Sequence, residues 1–242
     1  AAEIATVNLT MQAFADSRQK KLPKILNENI KVGNSLISGT EEELKPYFGE
    51  AWTEKRPFNW AQEFPTVMQR GGFDVVIGNP PYVRVDSLLE EDKKLWKKSF
   101  ASATGKYDLY YLFIELGKRL LAQGGRLGYI TPNRYCTNST GQNLRSMLLE
   151  ANSHLIVLSV SHIPVFADAA NYPVITILIR DINPGARKLS VYNIGEPTEI
   201  TSAQPAYELS NNVIDALPRS IIPIDTQNES LDVTLRIISQ NK

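Results

Sequence analysis

GGFDVVIGNPPYVR, residues 71–84, sets an apolar run, Phe73 to Ile77, between a glycine pair and Gly78. A continuous Val/Ile run bounded by glycine on both sides suits a strand covered on both faces, and predicts a central parallel strand of an α/β sheet. Asn79, Pro80, Pro81 and Tyr82 follow at once, and neither a strand nor a helix accommodates such a stretch in its interior. Each residue before a proline is pushed into extended geometry, so Asn79 and Pro80 are both held extended, and the Pro80 ring fixes its own φ as well. The Asn79 side chain and the Pro80 carbonyl therefore have fixed directions at the mouth of the strand.

In an open α/β sheet ligands sit in the crevice beyond the carboxyl ends of the strands, which is where this tetrapeptide falls. An amide oxygen and a backbone carbonyl are two acceptors, matched to a group with two N–H donors: an exocyclic amino group on a base, or a carboxamide NH2. The Tyr82 ring offers a face on which a planar group stacks. Two acceptors on one amino group also alter its chemistry. The amino nitrogen of adenine is a poor nucleophile because its lone pair is delocalised into the ring. Holding both hydrogens out of plane pulls it toward tetrahedral geometry and frees the lone pair for an electrophile placed in line, such as a methyl on a sulfonium. The competing reading is a plain proline turn after a strand, with Tyr82 packed on the core.

Working outward, helices are predicted around residues 87–99 and 107–122. The second carries Leu109, Leu112, Phe113, Leu116 and Leu120 on one side, with Gly124 and Gly125 as its stop. Strands are predicted at 126–131, 154–160 and 173–180, with a helix ending near 146–152 between the first two. The last two strands are close enough to form a late antiparallel pair. Upstream, Ile4, Val7, Leu9, Met11 and Phe14 fit an amphipathic helix, and Ile30 to Val32 reads as a short strand with a turn at Gly33-Asn34. From residue 183 the chain becomes polar and proline-punctuated, with one more strand near 188–193. The expected division is residues 1–182 as one domain and 183–242 as a linker and the start of a following domain or extension.

The 242 residues are 43% hydrophobic, which suits a globular protein with a real core. Lys plus Arg and Asp plus Glu each number 26 and cancel, so no global positive field drives non-specific nucleic-acid binding, and any DNA contact must be local or be supplied by another segment. One cysteine, Cys136, rules out an intramolecular disulfide, and a cytoplasmic location is the expectation. No apolar run approaches membrane-spanning length. His154 and His162, with Cys136, show no metal-ligand spacing, and no metal is expected.

The quoted stretch, together with FNWAQEFP at 58–65, KYDLYYLFIELGKRLLAQGGRLGYITPNRY at 106–135 and PVFADAANYPVITILIR at 164–180, resembles the amino-methyltransferases. It is most similar to the adenine-specific DNA methyltransferases of the type IIG restriction-modification and phage-defence kind. The resemblance implies an α/β, Rossmann-like class I methyltransferase sheet and S-adenosyl-L-methionine as cofactor. The implied partner is double-stranded DNA with its target adenine flipped out, since the amino group is otherwise paired inside the duplex. By that resemblance Asn79 and Pro80 hold the adenine amino group, Tyr82 stacks on the flipped base, and Phe166 closes the other face. Gly78 and Asn79 border the cofactor, and Asn34, in VGNSLI, is the residue set to contact its adenine ring, although a simple turn role for Asn34 stands beside this. The resemblance further implies that a Gly-rich cofactor loop and a ribose-binding acid precede residue 1. Residues 1–182 are then the catalytic-side part of the domain, holding the family's strands three to seven, and by themselves inactive. Two other functions stand as alternatives: a protein glutamine methyltransferase, which uses the same tetrapeptide on a carboxamide, and a silent DNA- or partner-binding fragment. The basic run KKLWKK at 93–98 is read either as a phosphate contact or as a solvated helix face, and Asn133 and Arg134 as part of a DNA-facing rim.

Overall fold

The computed structural model describes residues 29–161, 163, 172–180 and 185–224. The expected N-terminal helix, His162 and Phe166 lie outside the described residues. The chain divides into two compact units, Ala1–Pro65 and Thr66–Lys242.

In the first unit, helix α1, Glu41–Phe48, begins with a capping box. Thr40 and Glu43 reciprocally satisfy the exposed N–H groups of the first turn, and three glutamates there complement the helix dipole. Leu44 and Phe48 are its buried side. A short helix, α2, Trp60–Glu63, follows. Its flanking aromatics make a small cluster in which Phe58 meets Trp60 edge-on at 4.8 Å and Trp60 stacks with Phe64 at 5.9 Å. Ile30 to Val32 forms no ladder strand here, so the sequence expectation of a strand there is corrected. Three residues between an Asn and a glycine turn are too few to propagate pairing.

The second unit is built on one mixed six-stranded sheet: β1 Phe73–Gly78, β2 Leu121–Pro132, β3 Ser153–Ser159, β4 Pro173–Arg180, β5 Arg187–Asn193 and β6 Tyr207–Ser210, in the order β1-β2-β4-β3-β5-β6. β1 and β2 are parallel, with Gly78 opposite Tyr129. β4 is antiparallel to both β2 and β3, pairing Pro173 with Pro132 and Arg180 with Ser153. This is the expected late antiparallel pair, with β4 inserted between β2 and β3. β5, the strand expected near 188–193, and β6 come from beyond residue 182, where the sequence suggested a linker and the start of a following domain or extension, and they extend the same sheet. Leu189 and Val191 of β5 are fully buried, the alternation that marks the strand expected near 188–193.

The crossover from β1 to β2 runs through helix α3, Glu90–Ser99, and helix α4, Leu109–Leu120. Because β1 and β2 are parallel, α4 must return from their carboxyl ends to their amino ends. Its N-terminus therefore lies at the same end as residues 79–82. The buried face of α4 is Tyr110, Tyr111, Leu112, Ile114, Gly117 and Leu120. Leu109, Phe113 and Leu116 are half-buried, so the core-facing stripe is rotated from the one expected, the tyrosines having taken its place. Buried Glu115 accepts hydrogen bonds from the N–H groups of Ala101 (3.0 Å) and Ser102 (2.8 Å), fixing the loop that leads into α4.

β1 is not a central strand among the described residues. It ends the sheet, and Val75 and Ile77 are 57% and 79% exposed. An all-apolar strand composition cannot distinguish the middle of a sheet from an edge with no neighbour.

Helix α5, Arg134–Thr137, and helix α6, Gln142–Leu148, follow β2. Arg145 of α6 is fully buried without a carboxylate partner. Its guanidinium donates to the carbonyls of Tyr135 (2.6 Å), Asn138 (2.7 Å), Arg219 (3.0 Å) and Ser220 (3.0 Å). Arg219 and Ser220 both have positive φ, a conformation that ordinary side chains adopt only when surroundings hold it. Gly141 makes room for this arrangement, since a Cβ there would collide with the Tyr135 carbonyl and stand 2.8 Å from Arg145 Nη1. Arg145→Met keeps the stem and removes every donor, leaving buried carbonyls unpaired at ~1–3 kcal/mol each. It is expected to cost about 3 kcal/mol or more in urea unfolding, with residues 218–222 losing hydrogen-exchange protection first.

Candidate active site

The site is assembled where β1 ends. Gly78 is exposed, and a Cβ there would lie 3.2 Å from Cε1 of Tyr129 on the neighbouring strand. Its bareness lets the Tyr129 ring lie alongside the strand end. Asn79 is exposed, and among the described residues its side chain makes no hydrogen bond, whereas Pro80 is buried and anchors the turn. Tyr82 is half-buried. Its hydroxyl donates to the Ile130 carbonyl of β2 at 3.1 Å, and its ring meets Tyr110 of α4 edge-on at 6.2 Å. Burial raises the Tyr82 phenol above its ordinary pKa, so the hydroxyl stays protonated and keeps donating.

Backbone pairing locks the chain that leaves the tetrapeptide. Leu109 N–H donates to Val83 O at 2.7 Å and Val85 N–H to Tyr107 O at 3.0 Å, which brings Arg84 opposite Asp108. Asp108 precedes α4 without capping it. Burial pushes its carboxyl up, and the nearby Arg134 and Arg84 guanidiniums pull the other way. The buried Tyr110 hydroxyl and the Thr131 hydroxyl of β2 have no hydrogen-bond partner among the described residues.

Of the residues singled out from sequence, Gly78, Asn79, Pro80 and Tyr82 are consecutive or nearly so and share this mouth. Asn133 and Arg134 leave β2 at the same end of the sheet, with Asn133 N–H bound to Tyr172 O at 2.9 Å. Asn34 belongs to the first unit, where it forms an Asx-type turn. Its Oδ1 accepts from Leu36 N–H at 3.2 Å and its own N–H donates to Arg56 O at 2.7 Å. Its amide nitrogen is left as the group that could serve a ligand. In α3, Leu95 and Trp96 are buried, Lys93 pairs with Glu90 at 2.8 Å, and Lys94, Lys97 and Lys98 are exposed. His154 bonds Ser190 Oγ at 2.9 Å, and no metal-holding cluster occurs among the described residues. No helix among them is long and apolar enough to cross a membrane. The sequence reading missed Arg84, Asp108 and Tyr110. The one signal for them was an Asp directly before a helical period, the usual mark of a cap, and this Asp does not act as one.

Residues 1–166 match the family described as Eco57I restriction-modification methylase. The chain is 28% identical over 190 residues to the type II restriction enzyme and methyltransferase RM.Eco57I of Escherichia coli, which covers 77% of this chain and 17% of that protein. It is 31% identical over 154 residues to the type II methyltransferase M.XhoI of Xanthomonas vasicola, covering 63% and 27% respectively. The chain thus spans well under half the length of these relatives. Among solved structures, the DrdV–DNA complex superposes with a TM-score of 0.54 at 17% identity, over 80% of this chain and 20% of that one. A chain of a type I restriction-modification assembly superposes with 0.52 at 13% identity, over 97% and 56%. These two likenesses concern the fold.

Tyr82→Phe removes one hydrogen bond to a carbonyl and leaves the ring contacts. A loss of about 1 kcal/mol in unfolding free energy is expected, read by denaturant titration. No loss at all would mean that the hydroxyl does not hold the ring.

Proposed function

The chain belongs to the Eco57I restriction-modification methylase family, and from that premise we propose that it carries the target side of a DNA methyltransferase site. Its reaction is the S-adenosylmethionine-dependent methylation of the exocyclic amino group of adenine. The observation that carries the proposal is the unpartnered, exposed Asn79 side chain beside the buried Pro80, at the carboxyl end of a parallel strand. An amide with no partner among the described residues, followed by two prolines, is an acceptor waiting for a donor.

In this reading the Asn79 oxygen and the Pro80 carbonyl each accept one hydrogen of the amino group. Their fixed directions draw both hydrogens out of the base plane, so the nitrogen lone pair points away from the ring. The gain is positional and electrostatic, and needs no strong base. Tyr82, pinned at its hydroxyl and its edge, presents a ring already ordered for a flipped base, so little side-chain entropy remains to be lost on stacking. Phe166 is assigned to the opposite face of the base.

S-adenosylmethionine supplies the methyl group when bound. Gly78, with no side chain and an exposed backbone at the end of β1, and Asn79 next to it would border such a group. A glutamine carboxamide presents the same pair of hydrogens, but the family favours the base.

In the full protein, Asn79→Ala should abolish methyl transfer to adenine-containing duplex while changing cofactor affinity little, measured with labelled S-adenosylmethionine and by calorimetry. An equal loss of cofactor affinity would reassign Asn79 to the cofactor. Tyr82→Ala should weaken target-base binding by ~1–3 kcal/mol if stacking is its task, with turnover falling alongside. An unchanged variant returns Tyr82 to a packing role.

A further inference from the structure

Several guanidiniums of the second unit are committed to protein groups. Arg145 serves four carbonyls, Arg180 donates to Leu121 O at 2.7 Å, Arg187 pairs with Asp215 at 2.6 Å, and Arg119 pairs with Glu115. Arg84 and Arg134 differ. Both are exposed, and neither makes an ion pair or hydrogen bond through its side chain among the described residues. They come from different places in the sequence, Arg84 from the chain leaving β1 and Arg134 from the chain leaving β2. Because β1 and β2 are parallel neighbours, both lie at the carboxyl end of the sheet, beside Asn79 and Tyr82.

The backbone fixes their origin. Arg84 sits opposite Asp108 in the two-bond pairing of residues 83–85 with 107–109, and Arg134 opens α5. Both act on the Asp108 carboxylate, which burial makes a reluctant anion. Two cations thus face one such carboxylate in a chain whose charges otherwise cancel. A guanidinium is suited to a phosphate because its planar fork matches two oxygens at once.

We propose that Arg84 and Arg134 are phosphate-binding residues that grip the sugar-phosphate backbone of the DNA strand on either side of the nucleotide entering the site. This rests on the DNA reading given above. Such contacts fix register and hold the strand while its base is extruded, without reading sequence. In the free protein Asp108 offsets part of the charge, and phosphates displace that weak interaction on binding.

The test is the salt dependence of duplex binding by the full protein, with Arg84→Ala, Arg134→Ala and the double variant. Arg126→Ala serves as control, removing an exposed arginine in the body of β2, opposite Val75 and away from its carboxyl end. Each of the first two should lower the slope of log K against log salt by about one and the double variant by about two. A fourfold rise in salt then costs the double variant about sixteen-fold less affinity than it costs the wild type. Arg84→Lys with Arg134→Lys keeps both charges and should retain the slope, separating charge loss from misfolding. A wild type that binds no duplex sinks the DNA reading itself. A wild type that binds, with the double variant's slope unchanged or Arg126→Ala lowering it equally, sinks the assignment of these two residues.

Discussion

The geometry of the candidate site depends on two backbone hydrogen bonds, from Leu109 to Val83 and from Val85 to Tyr107. A Pro-Pro sequence directs a chain but does not hold it. Here the strand side is fixed by the ladder with β2, and the exit side by this pairing with the residues that start α4. Between the two anchors, Asn79 and Pro80 are restricted by proline sterics. The result is a short bridge with both ends tied and a stiff middle. Its acceptors can hold a direction without any side-chain partner of their own.

The same pairing explains how distant parts of the sequence meet. It sets the start of α4, and so brings Tyr110 against Tyr82 and Asp108 beside Arg84. The loop before α4 is also held by Glu115, one of few buried carboxylates, through two N–H groups. A mixed sheet alone would leave residues 79–108 as a long excursion. Ordering them requires polar contacts that cost little desolvation because each is satisfied by backbone.

What could be read from the sequence followed from local stereochemistry. The strand Phe73–Ile77 and the extended Asn79-Pro80 pair express themselves in consecutive residues. So do the β3 and β4 runs, whose apolar patterns are long enough to stand alone. The position of β1 at the end of the described sheet does not follow from its own composition, but it does follow from the resemblance, which gives this chain the family's strands three to seven without the first two. Two features were not legible, each for a physical reason. The membership of β5 and β6 in the sheet rests on a few buried residues inside a polar segment. Arg145 reads like any helix-surface arginine until the carbonyls of residues 135, 138, 219 and 220 close around it. The α4 stripe keeps Leu112 and Leu120 of the expected set, and Tyr110 and Tyr111 fill the rest of the core face.

The exposed side of β1 sharpens the point about rigidity. Pairing on one side only among the described residues, with Val75 and Ile77 exposed, leaves β1 less supported than the inner strands. If the aim of Asn79 came from the sheet, it would be set by an edge strand. The constraints that matter lie after the strand: two proline rings, a tyrosine hydroxyl fixed to β2 and the pairing with residues 107–109. Beyond Gly78 the chain is tied to β2 through the Tyr82 hydroxyl and to the residues that start α4 through the pairing of Val83 and Val85. Registration of the two acceptors against the Tyr82 ring is therefore a property of the bridge, and the strand's part is to deliver the bridge to the carboxyl end of the sheet.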